Sequence, residues 1–182
     1  SPVYMRNATC FGISPRMRFN IVVNNLAGYA KTTGKIQILG DGTPWRPLVH
    51  IKDICDAFIA VLEADKEVIH NQAFNVGDSK ENYQIKEIAK KVRIQYSDCK
   101  ITIGKKKSAD TRNYIISFEK LNNRLGFKAK RSLDKGIEEI AKTFDVIDLT
   151  KEIFNHRLYT RLSQMKYLLE NKLVDHDLRW IK

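Results

Sequence analysis

The stretch Gly40-Asp41-Gly42-Thr43-Pro44-Trp45-Arg46-Pro47-Leu48-Val49-His50-Ile51-Lys52-Asp53-Ile54 sets a turn, a strand and a helix within fifteen residues. Two glycines, an aspartate and a proline mark the turn. Residues 47–50 read as a short extended piece. From 52 to 64, Ile54, Ala57, Phe58, Val61 and Leu62 recur on one helical face. Asp53 falls in the first turn of that helix, where a carboxylate favours the positive end of the dipole. Upstream, residues 35–39 alternate as a strand. Residues 19–33 carry apolar side chains at helical spacing and stop at Gly34. Residues 3–10 read as a buried strand running to Gly12. Downstream, 72–76 is a strand ending at Gly77, 83–94 a helix, 100–103 a strand, 119–125 a helix closed by Gly126, and 133–144 a further helix. Residues 157–173 form a polar, amphipathic helical tail. Strands alternating with helices argue for the α/β class over all-α or all-β.

The chain has 182 residues, 43% of them hydrophobic and 29% charged, enough for a real core and a wetted surface. No apolar run approaches the ~18 residues of a membrane span. No secretory signal pattern opens it, so a cytoplasmic location is expected. The chain starts Ser-Pro-Val-Tyr without an initiator methionine, and we read it as a fragment or a processed chain. Cys10, Cys55 and Cys99 are odd in number and far apart, which predicts buried, reduced thiols rather than disulfides or a metal site. The net charge of +11 fits an anionic, phosphate-bearing partner, nucleic acid, or simply a lysine-rich surface. The longest basic run, Lys105-Lys106-Lys107, has no interleaved aromatics, which argues against nucleic acid.

Several pieces, in order, carry a resemblance. Arg6-Asn7-Ala8-Thr9-Cys10-Phe11-Gly12 followed by Ser14-Pro15, Asn24-Asn25-Leu26, the stretch 40–54, Ala73-Phe74-Asn75-Val76-Gly77, and Lys107-Ser108-Ala109-Asp110 together resemble extended short-chain dehydrogenases. More narrowly, they are similar to the NAD-dependent nucleotide-sugar epimerases and dehydratases, UDP-glucose 4-epimerases among them. The resemblance covers residues 1–144 and implies the C-terminal part of a Rossmann-type enzyme: the last sheet strands plus the small substrate-binding lobe. Residues 145–182 resemble a helical C-terminal extension of one bacterial subgroup.

What this implies for the site is specific. Thr9 stands where relatives often have Asn; its hydroxyl keeps one donor but loses the paired amide. Asn25 stands where an Asn meets the nucleotide phosphates. Arg46 offers a planar fork suited to a pyrophosphate. Lys107 replaces an Arg, keeping the charge without the fork, and Asp110 would accept from ribose hydroxyls. Asp53 and His50 we read as structural. The implied partner is a nucleoside-diphosphate sugar, and the implied coenzyme of the intact enzyme is NAD or NADP. Intact relatives would form a homodimer through helices of the other half.

The coenzyme half needs a strand, a G-x-x-G-x-x-G turn and a helix whose N-terminus takes the pyrophosphate. Gly40-Asp41-Gly42 is followed by Pro44 and Pro47, which cannot open such a helix. The family also needs a Tyr-x-x-x-Lys pair to exchange a proton with a sugar hydroxyl. Tyr96 and Lys100 match the spacing, but the intervening Ser97-Asp98 reads as a turn, so the pair does not share a helix face. The catalytic residues and most coenzyme contacts are therefore expected outside this chain. Two alternatives belong to other classes: a non-catalytic sugar-nucleotide-binding or protein-interaction module, and a basic nucleic-acid-binding domain.

Overall fold

The structure, a computed structural model, describes residues 2–104 and 112–181. The strand expected over 3–10 is two strands, β1 (Tyr4–Asn7) and β2 (Thr9–Phe11), which leave Ala8 between them and join different sheets. Next come α1 (Val22–Thr33), β3 (Lys35–Ile38), β4 (Trp45–His50), α2 (Ile51–Glu63), the one-turn α3 (Lys66–Ile69) and β5 (Ala73–Val76). Then follow β6 (Asn82–Gln84), α4 (Ile85–Gln95), β7 (Lys100–Ile103), α5 (Glu119–Leu125), α6 (Leu133–Val146), α7 (Lys151–Phe154), a 3-10 turn at Arg157–Tyr159 and α8 (Arg161–Glu170).

Strand β1 pairs in parallel with β5, from Tyr4 opposite Ala73 to Asn7 opposite Val76. One residue later β2 pairs in parallel with β4, Thr9 opposite Leu48 and Phe11 opposite His50. Strand β4 also takes β6 antiparallel, Arg46 facing Tyr83. Strands β3 and β7 form a third, parallel pair. Pro47 is tolerated within β4 because pairing with β2 begins only at Leu48.

Two elements differ from expectation. Residues 82–84 are strand, so the helix expected from 83 starts at Ile85. A three-residue strand is too short to show alternation, and Tyr83 fits either spacing. The tail is not one helix over 157–173: it breaks at Thr160, and α8 buries none of its residues.

Helices α1, α4 and α6 pack around β3 in one apolar cluster that includes Phe19, Val23, Ile36, Ile88, Ile137 and Phe144. Leu149 and Phe154 belong to this same cluster. Gly28 permits it: a Cβ there would sit 2.1 Å from the Phe154 ring. A second cluster joins α2, β5 and α5 through Ile54, Ala57, Phe74, Val76 and Leu121. The apolar stripe read on α2 is only partly covered. Ala57 is 0% exposed, but Phe58 is 45% and Leu62 82%. Cys55 on the same helix is exposed, not buried as expected, whereas Cys99 is buried and Cys10 half-buried. Among the described residues no helix is long and apolar enough to cross a membrane.

Candidate functional site

A cleft of about 380 Å³ opens between the start of α1, the end of β3 and β4, and Thr9, Asn25 and Arg46 all line it. Lys107 and Asp110 lie outside the described residues. Three expected binding residues from three segments thus share one cavity, although two of them are sixteen residues apart and the third lies on another strand.

Strand β4 sets Arg46. The residue pairs with Tyr83 of β6, is 6% exposed, and has its guanidinium held by backbone carbonyls. Nη1 donates to the carbonyl of Trp45 at 2.8 Å and to that of Arg112, and the Tyr114 ring lies 5.8 Å from Cζ. The Asn113 side chain accepts from Trp45 N at 3.0 Å, fixing the returning chain against β4. Arg112 and Tyr114 line the same cleft. Neither was among the expected binding residues.

The two adjacent asparagines have different work. Asn24 is buried and structural: its side chain accepts from Gly12 N at 3.3 Å and donates to the carbonyls of Arg18 at 3.1 Å and Gly12 at 3.5 Å. Asn25 donates to the Phe19 carbonyl at 2.9 Å while lining the cleft. One N–H of its amide is spent on that bond; the other, and the oxygen, remain for a ligand.

Helix termini supply the remaining polarity. Helix α1 opens at Ile21 with no side-chain cap and no acidic residue in its first turn, and Ile21 and Val22 border the cleft. Its leading N–H groups therefore carry the helix's positive end into the cavity. Helix α4 also borders the cleft at Ile85, but its opening amides are used: Ile85 N donates to Pro44 and Lys86 N to Gly42. No aspartate or glutamate lines the cleft among the described residues. Two arginines, an uncapped helix start and amide groups without a carboxylate suit an anionic, hydroxyl-rich ligand.

Asp53 and His50 are structural, as read. Asp53 is 1% exposed and accepts from Lys130 N, Arg131 N and Arg131 Nη1 at 3.1, 3.0 and 2.6 Å. His50 is 1% exposed; its Nδ1 accepts from Lys52 N at 3.3 Å. Its Nε2 lies 3.2 Å from the Glu139 carboxylate, off the line a hydrogen bond needs. Burial pushes the imidazole pKa below its ordinary 6.5, and the Glu139 and Asp53 charges only partly oppose this. The folded state therefore binds that proton less well than the unfolded chain, so this contribution is present above 6.5 and is lost as pH falls from there through the depressed folded value. Glu139, depressed mainly by its Lys52 hydrogen bond, acts only below its ordinary 4.5. Urea unfolding from pH 7 to 5.5 should show falling stability that His50→Gln flattens. A wild-type profile flat over that range would refute the assignment.

Tyr96 and Lys100 lie on different elements. Tyr96 ends α4, and Lys100 opens β7 opposite Lys35. The Tyr96 hydroxyl is buried without a hydrogen-bond partner among the described residues, and burial drives its pKa up, the reverse of what proton exchange at neutral pH requires.

Residues 1–77 match the NAD dependent epimerase/dehydratase family. A UDP-glucose 4-epimerase of Lacticaseibacillus casei is 34% identical over 118 residues, covering 60% of this chain and 35% of that protein. The UDP-glucuronic acid 4-epimerase of Bacillus cereus, solved with UDP-glucuronic acid and NAD, superposes with a TM-score of 0.66 at 25% identity, over 80% of this chain and 45% of that one. The NDP-hexosamine 5,6-dehydratase of tunicamycin biosynthesis, at 14% identity and a TM-score of 0.68 over 80% and 46% of the two chains, shares the fold. The chain spans about a third to under half the length of these epimerase/dehydratase relatives. Its fold is mixed α/β, with Rossmann-like epimerase/dehydratase structures as neighbours.

Proposed function

We propose that the chain is the C-terminal, substrate-binding part of a nucleotide-sugar epimerase or dehydratase, and that the cleft at Arg46 takes the nucleoside diphosphate. The carrying observation is the convergence of Arg46, Arg112 and the uncapped start of α1 on one cavity that no carboxylate lines among the described residues. Asn25 and Thr9 offer hydrogen bonds to hydroxyls or phosphate oxygens at the same place. Lys107 and Asp110 would add charge and a ribose contact from the segment that leads to Arg112.

These residues bind and orient; they do not perform the reaction. Interactions of this kind hold substrate and transition state alike and act by positioning the sugar. Gly40-Asp41-Gly42 leads into strand β4 rather than into the helix that a dinucleotide-binding glycine turn opens. The coenzyme and the proton-exchanging residues belong, on this reading, to the remainder of the enzyme.

Calorimetric titration with UDP, dTDP, GDP and CDP sugars tests the proposal. Saturable binding of one nucleotide series is expected, weakened ~10–100-fold in Arg46→Ala, the range for removing a hydrogen bond to a charged group. Arg46→Lys, which keeps the charge and loses the fork, should fall between. A folded chain that binds none of the series, or an Arg46→Ala variant that binds as tightly as wild type, would overturn it.

A further inference from the structure

Helix α8 leaves an apolar side uncovered. At 3.6 residues per turn, Leu162, Met165 and Leu169 share one side of it. Leu162 is 65% exposed, Leu169 is exposed and Met165 is half-buried. Arg161 and Lys166, both exposed, bracket this stripe on its two flanks, and Glu170 lies beyond Lys166. The opposite side faces the protein. Gln164, Tyr167 and Leu168 are half-buried there, and the Arg157 guanidinium lies 3.9 Å from the centre of the Tyr167 ring.

A small hairpin after α8 adds to the exposed apolar surface. Val174 bridges Trp180 antiparallel, Asp175 N donates to the Arg179 carbonyl at 2.9 Å, and Ile181 N donates to that of Leu173 at 3.1 Å. Val174 is buried and anchors the hairpin, while Leu173, Leu178, Trp180 and Ile181 stay exposed, Trp180 at 72%. Leu178 stands at φ +61 in the turn, where glycine or asparagine is the ordinary choice. The turn itself gives no reason for a leucine.

Charge selects what covers this surface. Residues 157–182 hold six lysines and arginines against three acids, in a chain of net charge +11. One of the acids, Asp175, is turned to its own hairpin, accepting from Asp177 N and Arg179 N at 2.9 Å each. Arg161 adjoins Arg16 and Arg18 around a small pocket that no carboxylate lines among the described residues. A second copy of the chain would bring the same positive charge against this face. A stripe of leucine and methionine bracketed by cations, with a tryptophan nearby, instead matches the boundary between anionic headgroups and acyl chains. We infer that the tail docks the protein on an anionic membrane surface. The α8 leucines and Trp180 enter the headgroup boundary, and the flanking cations meet lipid phosphates. The contact is peripheral: among the described residues no helix can cross a membrane. It is independent of what the Arg46 cleft binds.

Cosedimentation of the chain with vesicles tests this, using phosphatidylcholine alone and equal parts phosphatidylcholine and phosphatidylglycerol. Wild type should bind the anionic vesicles ~10-fold or more tightly than the neutral ones and be released as salt is raised. Its tryptophan emission should shift to the blue on binding, and Trp180→Phe should lose that shift. Leu162→Gln/Leu169→Gln should lower partition ~10-fold or more, the scale of losing buried leucine surface. Arg161→Gln/Lys166→Gln should reduce the preference for anionic vesicles at least ~5-fold. All four positions are exposed, so both variants should keep the wild-type circular dichroism spectrum. Absence of wild-type binding, equal binding to the two vesicle types, or binding undiminished in the leucine pair would overturn the inference. A dimer in sedimentation equilibrium that the leucine pair dissolves, without vesicle binding, would assign the face to a second copy instead.

Discussion

Replacing Asp53 with alanine is expected to lower the unfolding free energy by about 3–5 kcal/mol, the cost of breaking a buried, hydrogen-bonded charge pair. The carboxylate is 1% exposed and joins α2 to a segment 77 residues later in the chain. It receives two backbone N–H groups, Lys130 and Arg131, and the Arg131 guanidinium at 2.6 Å. The partners matter more than the charge. Without the carboxylate, two inward-facing amides lose their acceptor at once. Arg131 keeps Asp56 at 2.8 Å, so its own loss is partial. Asn in place of Asp keeps an oxygen for one amide and should cost clearly less than alanine. A domain of this size has only about 5–15 kcal/mol to lose. Urea denaturation gives the comparison; an alanine variant within about 1 kcal/mol of wild type would show that the bonds are replaced by water.

Gly12→Ala is expected to be nearly as damaging, by two independent routes. The residue sits at φ +108, which an L side chain rarely adopts, and strain of this kind costs about 1–3 kcal/mol. The added Cβ would also lie 2.6 Å from Nε2 of His50, an atom of a ring that is itself 1% exposed. That ring cannot swing away: Phe11 packs edge-on at 5.3 Å, and Gly136 brings α6 against both rings. Overpacking a closed site adds about 1–3 kcal/mol. Thermal unfolding of Gly12→Ala beside Gly34→Ala separates the routes. Gly34 shares a positive φ of +64 but has nothing within 4 Å of its Cβ position. Equal losses in the two variants would show that backbone strain alone acts at Gly12.

The legible parts of the fold were those with a local signature. Gly34 and Gly126 take the left-handed conformation at φ 64 and 65 and end their helices where the sequence placed the stops. Strand β7 and helix α5 have the expected bounds because apolar spacing and a terminal glycine define them. Non-local features were not legible. Nothing in residues 3–10 shows that Ala8 separates two sheets, since the segment reads as one continuous extended run. The helical face of Ile54, Ala57, Phe58, Val61 and Leu62 was correctly periodic, but periodicity does not say which half of a stripe is covered. Within the cleft, Thr9, Asn25 and Arg46 were reachable because each sits in a recurring motif. Tyr114 was not, because a tyrosine in a polar segment carries no sequence mark of the cavity it borders.

The passage from β1 to β2 makes the two sheets a single mechanical part. Tyr4 to Asn7 run beside β5, Ala8 N donates to Val76 at 3.0 Å, and Thr9, the next residue, is already in the cleft beside Leu48. No slack separates the two registers. A push or tilt applied to the β1–β5 ribbon must therefore displace Thr9 along with it, as a rocker moves both its ends.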